Sequence, residues 1–234
     1  MAEQLTLPLE VNPSLDFYQY WAGPNLEVVE HLENGLAQGF EPFIFLWGEK
    51  SSGKTHLLNA CCAKVHGLGH TAVYLPLTML SAYGPSVLEG IEEHALVCLD
   101  DVDVVLGEDA WELSLFHLFN ELKARQNRLI MSASLVPASL GIKLPDLRSR
   151  LDWGLTLKLQ SLNDEDKAEV LCLKSRGLGL ELPLSVAQYL IHHYDRDLGL
   201  LMGLLDRLDR ASLAAQRKVT IPFVKSQLLA QTRP

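Results

Sequence analysis

Apolar positions along the chain fall into two kinds of run. Short, nearly continuous runs at 43–47 (FIFLW), 71–75, 95–99, 128–133 and 155–160 have the length of buried strands. Between them the spacing becomes helical: residues 25–38 carry apolar side chains at 26, 28, 29, 32 and 36, and 111–125 read the same way. Strands alternating with helices predict a three-layer α/β domain around a parallel sheet. After Gln160 the texture changes. SLNDEDKAEVLCLKSRG offers Asn163 as a cap, acids in the first turn and a basic end before Gly177. LSVAQYLIHHY, the segment 198–216, and IPFVKSQLLA with Pro222 near its start complete a run of helices without a strand, which predicts a small C-terminal α-helical lid. The expected boundaries are a tail at 1–13, where Pro8 and Pro13 oppose regular structure, a sheet domain at 14–160 and a lid at 161–234.

Composition narrows the choices. The 234 residues are 48% hydrophobic, enough for a sizeable core, and 20 basic against 29 acidic side chains give a net charge of -9. That charge disfavours non-specific binding to phosphate backbones while leaving room for a local basic patch. No stretch approaches 18 uninterrupted apolar residues and no basic segment precedes an apolar run, so neither a membrane span nor a signal peptide is expected, and the expected location is the cytoplasm. Cys61, Cys62, Cys98 and Cys172 lack metal or redox spacing and read as core residues of a reducing compartment. The adjacent His192 and His193 read as surface residues rather than ligands. Trp21, Trp47, Trp111 and Trp153 read as packing residues, with Trp21 also situated where a base could stack.

The strongest chemical signal is FIFLWGEKSSGKTHLLNACCAKV, in which a strand-like run leads into Gly48-x-x-x-x-Gly53-Lys54-Thr55 and then a helix. The glycines let backbone N–H groups of the loop, through Ser51, Ser52 and on to His56, curl around a phosphate; Lys54 reaches the outer phosphates and Thr55 can hold Mg²⁺. ALVCLDDVDVV supplies the acidic half, with Asp100 as the carboxylate for Mg²⁺ and Asp101 as the group that orients an attacking water. Asp103 reads as structural or solvent-facing. RLIMSAS ends a third strand in hydroxyls, so Ser132 or Ser134 could sense the terminal phosphate, although serine after a strand is also ordinary turn chemistry. In DLRSRLDWG the arginines are either surface anchors or, in the sharper reading, offer Arg150 to a nucleotide on a neighbouring subunit.

Together these motifs resemble the AAA+ ATPase family over nearly the whole chain, in its DnaA-related branch, with LDRLDRASLAAQRKVTIPFVK similar to the lid of the Hda-type regulators. The resemblance implies an AAA+ P-loop NTPase domain with a helical lid, Gly48–Thr55 as Walker A, Asp100-Asp101 as Walker B, a first sensor in the SAS segment at Ser134, and Arg150 as a finger acting in trans. It gives FYQYWAGPN, residues 17–25, the role of an extended lead-in that cups the base, with Asn25 at the nucleotide. Gly199 aligns where the family often carries a second-sensor arginine, flanked by Arg196, which implies weak nucleotide sensing or self-hydrolysis. The resemblance further implies ADP, ATP or another nucleoside diphosphate as ligand, with Mg²⁺, and the diphosphate is the expected form. No helix-turn-helix domain is visible after the lid, so direct sequence-specific DNA binding is not expected.

QLTLPL near the start resembles the short peptides with which replication proteins dock on the DNA polymerase sliding clamp (beta subunit), through Gln4, Leu5, Leu7, Pro8 and Leu9. The expected function is clamp-dependent stimulation of ATP hydrolysis by DnaA, which prevents re-initiation of replication, with an interface to DnaA in action and to a second copy at rest. Two readings stand beside it: a self-contained ATPase of helicase-loader type, and a non-catalytic, nucleotide-dependent adaptor on the clamp.

Overall fold

The computed structural model describes residues 15–38 and 41–230. These residues form two compact units, one from 15–18 and Asn25–Gln160, the other from Gln19–Pro24 and the chain from Ser161 onward.

The first unit is a five-stranded parallel sheet in the order β2-β3-β4-β1-β5. Its strands are β1 (Phe43–Trp47), β2 (Ala72–Pro76), β3 (Leu96–Asp100), β4 (Arg128–Ala133) and β5 (Leu155–Lys158). The three central strands are buried almost throughout, which is why they read as continuous apolar runs. β5 at the edge alternates between half-buried and exposed residues. Pro76 is tolerated at the end of β2 because that strand is the other edge.

Strand alternation divides the side chains between two faces. Phe43 and Phe45, Leu75, Val97 and Leu99, and Leu129 and Met131 share one core with α4 (Asp109–Arg125) and α5 (Pro145–Trp153). The intervening residues, Ile44, Tyr74, Cys98, Asp100, Ile130 and Ser132, therefore belong to the face packed by α1 (Leu26–Gln38) and α2 (Lys54–Gly67). A short α3 (Leu77–Leu80) and a series of 3-10 turns over 81–93 link β2 to β3, and none of these was visible in the sequence pattern. Nor was α5 as a helix: Leu147 and Leu151 are its only buried residues, too few to make a periodicity, although Pro145 at its first position is a legible start signal. Cys61, Cys62 and Cys98 are all fully buried, as expected of core thiols, and burial pushes the Cys61 and Cys98 thiols well up from their ordinary range.

Asn25 is buried, and its amide donates to the Gln160 carbonyl (3.0 Å) and accepts from the Gln160 N–H (2.7 Å). The side chain expected at the nucleotide is thus a brace between the start of α1 and the exit of β5. The segment 17–25 is a turn followed by a 3-10 helix at Gly23–Asn25, not the extended lead-in expected from the resemblance.

The second unit contains α6 (Asp164–Gly177), α7 (Leu184–His193), α8 (Leu198–Ala215) and α9 (Ile221–Ala230) around its own core. Asn163 caps α6 by accepting from the Asp166 N–H at 2.7 Å, and Asp197 caps α8 from the Leu200 N–H at 3.0 Å. Trp21 belongs here, with its indole N–H directed to Asp166 at 3.4 Å. Gly199 sits in the first turn of α8, and the neighbouring Arg196 is engaged within the same unit, 3.6 Å from Asp164 and with its carbonyl accepting from Lys167. His192 and His193 are exposed.

One buried carboxylate holds the loops around α4 and α5. Glu112, fully buried in the first turn of α4, accepts from the backbone N–H groups of Gly107 (2.8 Å), Lys143 (3.0 Å) and Leu144 (2.6 Å). It fixes the approach to α5 and hence the helix that carries Arg150. Replacing Glu112 by Ala leaves these donors without an acceptor and should lower the stability of the sheet unit by about 3 kcal/mol in urea unfolding; a loss near zero would mean that the loops are held by something else.

Candidate nucleotide site

All five strands are parallel, so the loops that follow β1, β3 and β4 emerge at one edge of the sheet. The loop after β1 is shaped for close backbone approach. Gly53 has φ 97°, in the left-handed region, and a Cβ on Gly48 would lie 2.6 Å from the Leu159 carbonyl oxygen. Ser51 and Asp101 also have left-handed backbones, an uncommon conformation that clusters at functional loops. Lys54 opens α2 with its ammonium buried at the loop, donating to the carbonyls of Gly48 (2.7 Å) and Glu49 (3.0 Å). Two carbonyls orient that charge but do not neutralise it, which suits an anionic ligand.

The acidic half meets the loop directly. Thr55 donates its hydroxyl to Asp100 Oδ2 at 2.6 Å, Tyr74 donates to the same oxygen at 2.8 Å, and Ser132 donates to Asp100 Oδ1. Asp101 follows, its backbone N–H donating to Ser132 Oγ at 2.9 Å. Burial, and then the neighbouring Asp100 charge, push the Asp101 carboxyl up, with Lys54 pulling the other way. Burial and the same Asp100 charge push the Tyr74 phenol up, so it remains a donor. Tyr74 was absent from the sequence reading. Its signal was available in the alternation of β2, which puts it on the Asp100 face, but only once the pairing of β2 with β3 is known.

The two candidate sensor serines divide. Ser132 is buried against Asp100 and joins the site; Ser134 gives both its N–H (3.1 Å) and its hydroxyl to Asp103 Oδ2. Asp103 is accordingly structural, a clamp on the turn after β4. His56 directs Nε2 to the Asp16 carbonyl at 2.8 Å. Gln4, Leu5, Leu7, Pro8 and Leu9 lie outside the described residues.

The residues present fit a nucleotide with its Mg²⁺. Among the described residues no group of three or more His, Cys, Asp or Glu side chains could hold a metal alone. Thr55 and Asp100 are the oxygen donors that would share Mg²⁺ with phosphates, as this cation commonly requires. Bound Mg²⁺ would draw charge from those phosphates, while the loop N–H groups and Lys54 hold them in place.

Arg150 lies elsewhere in the sheet unit. It is in the last turn of α5, its guanidinium carbon 5.8 Å from the centre of the Phe119 ring. Phe119 stacks on Phe43, the first residue of β1, at 3.9 Å, and Gly154 just after α5 abuts the Phe43 carbonyl. Arg150 therefore sits by the amino end of β1, whereas the phosphate loop leaves its carboxyl end, roughly 13 Å of strand away.

Residues 164–228 match the Hda lid-domain family, and residues 86–158 match the bacterial DnaA ATPase-domain family. The chain is an AAA+ protein of the DnaA superfamily. Its lid is of Hda type, and its phosphate loop precedes both matched spans, resting on the geometry above. Solved structures with this fold include domain III of the Thermotoga maritima replication initiation protein DnaA, at 24% identity and TM-score 0.80 over 97% of this chain and 100% of that one. AMPPCP-bound DnaA from Aquifex aeolicus aligns at 23% and 0.69 over 84% and 66%. The Thermotoga maritima RuvB Holliday junction branch migration motor aligns at 15% and 0.66 over 89% and 68%. An AAA+ domain of this superfamily binds nucleotide, and among the described residues no helix is long and apolar enough to cross a membrane.

Two measurements test the site. Lys54→Ala should remove the thermal shift given by ADP while leaving the nucleotide-free melting temperature nearly unchanged; a retained shift would remove Lys54 from the phosphate contacts. Because the folded-state pKa of Asp101 is raised, its ionised form opposes folding above that pKa, and the penalty fades as pH falls toward 3.8. Asp101→Asn should therefore stabilise the nucleotide-free protein at pH 8, with a gain that shrinks at pH 5; a gain independent of pH would contradict the burial argument.

Proposed function

We propose that this chain is a cytoplasmic regulator that stimulates hydrolysis of ATP held by DnaA, preventing re-initiation of replication, and does so while tethered to the DNA polymerase sliding clamp. The observation that carries the reading is the position of Arg150. Its side chain is a strand length from its own phosphate loop, too far to assist there, and half-buried in an aromatic setting at the other end of β1. An arginine so situated can serve a nucleotide on another subunit, where such a residue contributes roughly 10³–10⁵ in hydrolysis rate in well-studied switch proteins. The Hda-type lid and DnaA-like ATPase segment support DnaA as the partner.

The chain's own nucleotide serves as a shape-setting ligand, with ADP and Mg²⁺ as the working form. Gly199, at the position where the family often carries a second-sensor arginine, supports slow self-hydrolysis. Gln4, Leu5, Leu7, Pro8 and Leu9 form the clamp-docking peptide, in which one amide side chain is followed by alternate apolar anchors. Ser51, Ser52, Gly53 and His56 line the loop with Lys54 and Thr55.

The division of labour is testable. Arg150→Ala should abolish the stimulation of DnaA while leaving ADP affinity and clamp binding intact. Deleting residues 1–10 should remove clamp binding but preserve ADP affinity. An Arg150→Ala protein that still stimulates would favour a non-catalytic adaptor, and rapid ATP turnover by the isolated chain would favour a self-contained ATPase.

A further inference from the structure

Asp100 is almost completely buried, yet it accepts hydroxyl donors from three different elements: Thr55 of α2, Tyr74 of β2 and Ser132 of β4. Two of these follow from β3's immediate neighbours. In the β2–β3 pairing Tyr74 lies opposite Cys98, two residues before Asp100 and on the same face, and a phenol leaning along the strand covers that two-residue offset. Asn59 of α2 also hydrogen-bonds the Tyr74 side chain, which holds the ring from the helix side. The carboxylate is therefore pinned at both ends without Thr55, by Ser132 at Oδ1 and by Tyr74 at Oδ2.

We infer that Tyr74 is a positioning residue for the Mg²⁺ site, holding Oδ2 of Asp100 in a metal-binding orientation alongside the Thr55 hydroxyl. The inference rests on the reading of this edge as a Mg²⁺-nucleotide site and extends it to a residue that touches neither phosphate nor metal. The Thr55 hydroxyl has lone pairs for a cation as well as a proton for Asp100, and Tyr74 supplies a second donor at Oδ2 from β2; without Tyr74 that oxygen is held by Thr55 alone. Outer partners of this kind commonly contribute 10- to 100-fold in metal affinity.

The test is a Mg²⁺ titration of fluorescent ADP analogue binding by the full chain and by Tyr74→Phe, with a parallel measurement in EDTA. Wild type should gain affinity with Mg²⁺, and Tyr74→Phe should need about tenfold more Mg²⁺ for half of that gain while binding the analogue equally well in EDTA. Equal Mg²⁺ midpoints would overturn the positioning role, as would a variant weakened equally in EDTA, since that is the behaviour of a merely structural contact. A wild-type protein whose affinity ignores Mg²⁺ would instead overturn the metal-site reading beneath it.

Discussion

The structure depends on keeping one buried carboxylate satisfied. Asp100 is buried at the end of β3, and its oxygens find their hydrogen-bond partners in hydroxyls that α2, β2 and β4 bring to it together. That condition is a statement about topology: β3 must lie between β2 and β4, the helix after β1 must cover their common face, and the register of β2 must set Tyr74 two residues short of the carboxylate. The same arrangement brings Lys54 and the glycine loop to the edge where Asp100 ends its strand. Folding and phosphate chemistry are thus set by a single constraint rather than by separate features.

A second buried carboxylate organises a different part of the unit. Glu112 fastens the chain just before α5, and α5 then runs nine residues, about 13 Å, to the opposite end of the strands. Arg150 rides near the end of that helix, over Phe119, which itself stacks on the first residue of β1. Nucleotide-facing groups and the arginine consequently occupy opposite ends of the same strands.

Much of this was legible in the sequence because the signals are local. FIFLW followed by GEKSSGKT signals strand, loop and helix in one continuous stretch, and LVCLDD repeats the logic for the acidic strand. The lid was legible from its caps, with Asn163 and the terminal Gly177 bracketing α6. What escaped is non-local. Tyr74 and Glu112 matter through residues 26 to 32 positions away, and no periodicity announces them. Asn25, expected at the nucleotide, pairs instead with the backbone of Gln160, 135 residues on. The choice between Ser132 and Ser134 turned on where β4 ends: Ser132 is still within the strand and reaches Asp100, whereas Ser134 lies past its last residue and pairs with Asp103.

The central claim is that this chain completes hydrolysis on another protein's nucleotide. It is tested most directly by preloading DnaA with radiolabelled ATP and following its conversion to ADP with this protein, ADP and clamp loaded on DNA, beside reactions lacking clamp or lacking this protein. The account predicts rapid conversion only when both are present. No acceleration, with DnaA and clamp shown to be active, would contradict it and leave a nucleotide-binding AAA+ protein with a different task.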